Sequence, residues 1–243
     1  MTETVQNLLD EIEKISDPLR ASHAQRFFKT GPGQYGEGDV FVGITMPQLR
    51  RICRQYKGLN LNEIQKLLDS PIHEHRMAAL VIMSDVAPKR SLKQRKELFA
   101  LYLKNLDFER INNWDLVDVS AKSIVGDYCA DTTFGPLLEL AHTPDLWKKR
   151  VAIVATFAFL ARNDASPTIK IAEVLLDDKH DLLQKAVGWL LREMGKRVSE
   201  QDLILFLDKH ASSMPRTTLR YAIERFPQEV RQHYMQMRRL NNF

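Results

Sequence analysis

The segment Asn112-Asn113-Trp114-Asp115-Leu116-Val117-Asp118 sets a tryptophan and a carboxylate four residues apart. On a helix, Trp114 and Asp118 are then surface neighbours. Either the pair is an accident of packing, with Asp118 tied to Lys122 one turn later, or it faces something that needs a flat apolar wall beside a negative charge. Asp115 suits the positive end of the helix dipole. Two further stretches combine aromatic rings with cations: Trp147-Lys148-Lys149-Arg150 and Gln184-Lys185-Ala186-Val187-Gly188-Trp189. Glycine inside a helix costs about 1 kcal/mol relative to alanine. Gly188 therefore marks a close approach, whether of a ligand or of a packed helix.

Other candidate chemistry falls away on spacing. The glycine-rich run Lys29–Asp39 lacks the GK[ST] of a phosphate loop and any strand–loop–helix setting, so it reads as a shaped loop between helices. Long loops of this kind are often functional, and contact with a ligand or nucleic acid is one use for it. His73-Glu74-His75 looks like a metal pair, but side chains two apart on a helix diverge, and no third ligand is evident. Cys53 and Cys129 have no neighbouring histidine to activate them. They are too few for a disulfide framework and lack metal-site spacing, which fits a reducing compartment.

The elements that must position these residues are helical. Val5, Leu8, Leu9, Ile12 and Ile15 fall at helical spacing, as do Ile64, Leu67 and Leu68. Prolines recur where helices begin, at Pro18, Pro71, Pro88, Pro144, Pro167, Pro215 and Pro227. Only Phe41–Ile44 resembles a strand. The pattern predicts an all-α protein of about a dozen short helices.

The helices also repeat. Segments opening with a cation and continuing into small and apolar residues start at 76, 150, 185 and 220, with gaps of 74, 35 and 35 residues. The first gap holds two periods, and its empty slot near residue 113 is filled by the NNWDLVD segment. A period in the mid-thirties with two helices per unit predicts HEAT- or armadillo-like repeats: a single domain over residues 1–243, wound as a right-handed α-α superhelix, with a glycine-rich loop at about 30–40. Equivalent positions would line one concave face. Arg76, Arg150, Lys185 and Arg220 would form a cationic stripe there, thickened by Lys148, Lys149, Arg192 and Arg216 and suited to a phosphate backbone. The competing reading is that these are ordinary solvated surface charges.

Composition permits this. The 243 residues are 44% hydrophobic and 27% charged, with net charge +4, which excludes wholesale disorder and allows a basic face. No apolar run reaches the roughly 18 residues of a membrane span. The polar, acidic N-terminus is no secretory or transit signal. A soluble cytoplasmic protein is expected.

GITMPQLRRI, WDLVD, LWKKRVAIV and LLQKAVGWLLREMGK, in this order, resemble the AlkD-type DNA alkylation repair family of HEAT-like repeat proteins. The resemblance runs from about Phe27 to Tyr221, and QKAVGWLLRE is its most specific element. It implies a monofunctional DNA glycosylase that releases N3- and N7-alkylated purines from duplex DNA gripped by its backbone, acting as a monomer without metal or cofactor. In the family pattern the catalytic aspartate follows a tryptophan by four residues, matched by Asp118 after Trp114. The groove arginine is matched by Arg150 and the second aromatic wall by Trp189. Lys148, Lys149, Lys185, Arg216 and Arg220 would add backbone contacts. The insert between about Thr30 and Val40 departs from the best-known members, and would either reach DNA or partly block the groove. The family also contains members that bind DNA without excising bases, so a non-catalytic module for damaged or branched DNA is the alternative. A protein-interaction solenoid would instead present an apolar or acidic face.

Overall fold

The computed structural model describes residues 4–240, with side chains placed as far as Met237. Residues 1–3 of the polar N-terminus lie outside the described residues. The chain divides into two compact units, Met1–Tyr128 and Cys129–Phe243. In the first, the helices are α1 (Val5–Lys14), α2 (Pro18–Phe27), α3 (Met46–Cys53), α4 (Leu61–Leu68), α5 (His73–Val86), α6 (Leu92–Asp107) and α7 (Trp114–Ala121). A π-helical turn, Lys122–Gly126, carries α7 into α8 (Asp127–Asp131). The second unit holds α9 (Gly135–Ala141), α10 (Leu146–Ala155), α11 (Phe157–Leu160), α12 (Ser166–Leu175), α13 (Asp181–Arg197), α14 (Glu200–His210), α15 (Arg216–Ala222) and α16 (Gln228–Leu240). The protein is all-α as the periodicity predicts. Phe41–Ile44 forms no strand; the pairing found there is a single parallel bridge between Val40 and Ile72, which ties the end of the glycine-rich loop to the start of α5.

Local chemistry sets the helix starts. Asp17 accepts the N–H groups of Leu19 and Arg20 ahead of α2, Asn60 and Glu63 close a reciprocal capping box on α4, and Ser91 and Gln94 close another on α6. Pro18, Pro47, Pro136 and Pro167 occupy first turns, where a missing N–H costs nothing.

Each unit has one helix buried nearly all round. In α5, Met77 to Met83 are all buried, and in α10 so are Val151 to Ala155. A helix apolar on every side needs neighbours on every side. Accordingly α5 packs against α3, α4 and α7, and α10 against α9, α12 and α13. The two central helices carry the same device one turn in. Arg76 Nη1 donates to the Arg110 carbonyl at 3.2 Å, and Arg150 Nη1 to the Leu182 carbonyl at 2.6 Å, reaching 34 and 32 residues along the chain. The predicted cationic stripe therefore needs correction at Arg76 and Arg150. Each residue is only 5% exposed, because its guanidinium is spent inside its own unit.

Gly188 is explained by packing. A Cβ there would lie 2.5 Å from the Thr218 carbonyl oxygen and 2.5 Å from Tyr221 Cβ, so α13 and α15 touch through it. The helix-packing reading of this glycine holds. Gly188→Ala is expected to lower the urea midpoint by the equivalent of about 1–3 kcal/mol through overpacking, as equilibrium unfolding followed by circular dichroism would show. An unchanged midpoint would mean the two helices part easily.

Candidate functional site

Trp114 opens α7, whose N-cap Asn113 is fully buried and accepts the Trp114 N–H at 2.9 Å. Leu116, Val117, Ser120 and Ala121 are the buried residues of α7, while Trp114 and Asp118 are partly exposed. Past Asp118 the helix widens. Ser120 Oγ bonds back to the Leu116 carbonyl at 2.5 Å, and the π turn follows. Single π turns in α-helices recur at functional sites. Within it Lys122 reaches five residues on, its Nζ lying 3.0 and 3.1 Å from the two carboxylate oxygens of Asp127. Within electrostatic reach of Asp118 is the fully buried Tyr102. Burial pushes its phenol pKa up; the hydrogen bond with Ser120 opposes that, and the nearby negative charge of Asp118 adds to it.

The start of α7 is held by a buried charge network that the sequence did not announce. Asp39, at the end of the glycine-rich loop, accepts from Arg76 Nη2 at 2.5 Å and Asn112 Nδ2 at 3.2 Å on one oxygen. Its other oxygen takes His73 Nδ1 at 3.0 Å and Asn113 Nδ2 at 3.4 Å. The far side of the same imidazole meets Asp115: Nε2 lies 2.9 Å from Oδ2. A neutral imidazole has one N–H, so carboxylates on both nitrogens require the imidazolium. Burial alone would push the His73 pKa down, but the hydrogen bonds to Asp115 and Asp39 overcome it and raise it to about 9. Burial would likewise raise Asp39, yet His73 and Arg76 hold it down at about 2. The two cations and two carboxylates balance, which is the condition for keeping such charges out of water.

Rings complete the mount. Trp114 stacks on Phe28 with centroids 5.3 Å apart, Phe28 on Phe41 at 5.1 Å, and Phe41 on His73 at 4.5 Å. Phe27, 66% exposed, meets Trp114 edge-on at 6.0 Å. The glycine-rich loop runs against this pile. A Cβ on Gly36 would sit 2.6 Å from the Phe28 carbonyl oxygen and 3.3 Å from Asn113 Nδ2. The loop's N–H groups turn inward: Gly31 donates to Gln34 Oε1, Gly33 to Glu37 Oε2, Gly36 to the Lys29 carbonyl and Asp39 to the Gly36 carbonyl. This is no phosphate cradle. Its structural product is the placement of Asp39.

The histidine pair also differs from a metal site, as the spacing implies. Both ring nitrogens of His73 face carboxylates, while His75 Nδ1 is 2.9 Å from Ser70 Oγ and burial lowers its pKa to about 4.

The remaining site residues fall in the second unit. Trp147, Lys148, Lys149 and Arg150 lie in the first half of α10, where Asp145 caps the Lys148 N–H at 2.8 Å. Lys149 pairs with Asp178 at 2.8 Å, and Arg150 is 5% exposed. Lys185 and Trp189 lie one turn apart on α13, with Lys185 Nζ 2.6 Å from Asp181. Trp189 meets Phe157 edge-on at 5.3 Å, and the Arg197 guanidinium sits over that ring at 5.3 Å. On α15, Arg216 donates to the Met235 carbonyl at 2.7 Å and Arg220 is exposed. Helices α10, α13 and α15 are neighbours through α13, so the unit gathers these residues on one set of packed helices.

A family model described as DNA alkylation repair enzyme matches residues 8–226, and the chain belongs to that family. It is therefore a DNA repair protein by descent. No curated protein matches the chain. Among solved structures it is similar to a protein titled "Predicted DNA alkylation repair enzyme from Enterococcus faecalis", with TM-score 0.67 and 16% identity over 88% of this chain and 97% of that one. At that identity the likeness speaks to the fold. Among the described residues no helix is long and apolar enough to cross a membrane.

The network gives a pH dependence. His73 binds its proton more tightly folded than unfolded, so its contribution is complete below about pH 6.5 and is lost as pH rises through about 9. Asp39 contributes above about pH 3.8 and loses that contribution as pH falls through about 2. Urea unfolding is expected to show stability declining between these two His73 limits, and the decline should vanish in His73→Gln. Removing one partner from a buried pair costs about 3–5 kcal/mol, so that variant should also be markedly less stable at neutral pH. An identical pH slope in the variant would place the proton elsewhere.

Proposed function

We propose that this protein is a monofunctional glycosylase that hydrolyses the N-glycosidic bond of N3- and N7-alkylated purines in duplex DNA. The observation that carries this reading is Asp118: a partly exposed carboxylate one turn from Trp114, on a helix whose first turn is clamped, in a member of the DNA alkylation repair enzyme family.

The chemistry follows from charge. An alkylated purine already carries a positive charge, so the C1′–N bond breaks with its electron pair going to the base, which leaves neutral. The positive charge passes to the sugar, whose oxocarbenium character Asp118 stabilises. Water then adds at C1′ and its proton is lost, with Asp118 placed to orient the attacking oxygen. No general acid is needed because the leaving group needs no proton, and neither metal nor cofactor enters any step. In this reading Trp114 and Trp189 supply aromatic surfaces whose faces favour cationic character. Lys148, Lys149, Lys185, Arg216 and Arg220 hold phosphates of the same duplex, while Arg150, bonded to the Leu182 carbonyl, braces α10 against the start of α13. The HEAT-like superhelical repeat belongs to the same reading, supported by the matching reach of Arg76 and Arg150 along the chain.

Two measurements test it. Duplexes containing N7-methylguanine or N3-methyladenine should release free base, and Asp118→Asn should slow that release by about 10²–10³-fold, the usual effect of losing one electrostatic stabiliser. DNA binding without release by the wild type would favour the non-catalytic alternative. Arg220→Ala, at an exposed position, should weaken duplex binding and reduce the salt slope by about 1. A salt-independent affinity would remove the backbone-contact part of the reading.

A further inference from the structure

We propose that His73 is a positioning residue for Asp118: bridging Asp39 of the glycine-rich loop and Asp115 of α7, it fixes the first turn of that helix and thereby sets where Trp114 and Asp118 stand. This rests on the glycosylase reading for its kinetic consequence, but not for its structural one.

Three observations carry it. First, the contacts converge on one turn. Asp115 is held by His73, Asn112 and Asn113 both donate to Asp39, and Trp114 lies on Phe28, whose other neighbours in the pile are Phe41 and His73 itself. Asp118 is three residues beyond Asp115, a rise of roughly 4.5 Å along the same face. A twist or shift of the first turn is thus delivered to Asp118 through a short rigid lever. Second, α7 is only eight residues long and ends in the π turn; Leu116, Val117, Ser120 and Ala121 seat its inner face, and His73 holds the partly exposed turn ahead of them through Asp115. Third, the two ends of the bridge are unequal. Asp39 is 3% exposed and keeps Arg76, Asn112 and Asn113 if the histidine contact fails. Asp115 is 18% exposed beside a cavity of about 170 Å³ lined by Phe28, Phe41, Met77 and Arg20, and keeps the Leu116 N–H. A neutral His73 can serve one carboxylate at a time, and Asp115 is the one more easily given up to water.

The charged groups around the imidazole all agree with this assignment. Asp39 faces it from the loop and Asp115 from α7. On α5 itself, Arg76 is turned to Asp39, and Glu74 is occupied by the N–H groups of Val42, Gly43 and Ile44 at 2.8–3.4 Å. From α2, Arg20 lines the same cavity as His73 and Asp115. The glycine-rich loop thus has a role that needs no contact with DNA: it delivers the second carboxylate.

The experiment compares wild type, His73→Gln and Gly36→Ala on a duplex with one N7-methylguanine, under single turnover from about pH 6 to pH 9.5. The wild-type rate should fall along an upper limb with an apparent pKa near 9, and His73→Gln should lose that limb and run roughly ten- to a hundredfold slower. Duplex affinity should stay within about twofold, since a fold defect would lower both. Gly36→Ala, which displaces the loop without changing a charge, should slow the rate and keep the limb. A His73→Gln protein that turns over at the wild-type rate with the same limb would overturn the proposal. So would equal losses of rate and affinity. If His73→Gln does not fold, or if the wild type releases no base, the readout is the Trp114 indole N–H resonance of the wild type, assigned with Trp114→Phe. It should move as the imidazole nitrogens titrate near pH 9, and a resonance indifferent to that titration would overturn the proposal on its own.

Discussion

Two carboxylates within hydrogen-bond reach of one imidazole repel each other unless the ring is protonated on both nitrogens, and the first unit is arranged to keep it so. Asp39 and Asp115 come from segments far apart in sequence, and His73 stands between them at 3.0 and 2.9 Å. Arg76 supplies the second positive charge, at 2.5 Å from Asp39. Remove the proton and the network carries a net negative charge out of water. Keep it, and three pieces of chain are locked: the end of the glycine-rich loop, the start of α5 and the first turn of α7. Asn112, the buried Asn113 and the ring pile from Trp114 to His73 are organised around the same point.

The arrangement also explains why the loop is rich in glycine. Lys29, Gly33 and Gly38 all have positive φ, and Gly36 passes within a Cβ's width of the Phe28 carbonyl. A loop that must turn this often, bond to itself and deliver one aspartate into a buried site has little room for side chains. Its dense internal hydrogen bonding leaves no row of free N–H groups to offer a phosphate.

Much of the fold was legible in the sequence. Helical spacing, prolines in first turns and capping residues are local signals, and they place α1, α4 and the starts of α2 and α12 close to where they stand. Arg76 and Arg150, which the periodicity aligns, make matching contacts, but what they contact was not legible. A cation at a helix start reads as a surface charge, and only the three-dimensional return of residues 110 and 182 shows that these arginines are buried against backbone carbonyls. Placing Trp114 and Asp118 one turn apart on α7 needed only the helical repeat. His73 needed more: His73-Glu74-His75 was legible as a cluster of ionisable groups, but its partners lie 34 and 42 residues away. Such separations leave no trace in spacing. The lone aspartate closing a glycine run was the one available hint.

In the proposed glycosylase, Asp118 gains its meaning from this mount. A carboxylate on a loosely held helix would follow the charge of any substrate, whereas one on a clamped helix can be complementary to a charge that appears only as the glycosidic bond breaks. The most direct measurement is the affinity for a duplex carrying a cationic pyrrolidine in place of the lesion sugar, beside the same duplex with a neutral tetrahydrofuran. The wild type is expected to prefer the cationic sugar by at least about a hundredfold, within the range for transition-state mimics, and Asp118→Asn is expected to lose most of that preference. Equal affinity of the wild type for both duplexes, or a preference that survives in Asp118→Asn, would contradict the assignment of Asp118 as the group that stabilises the sugar cation.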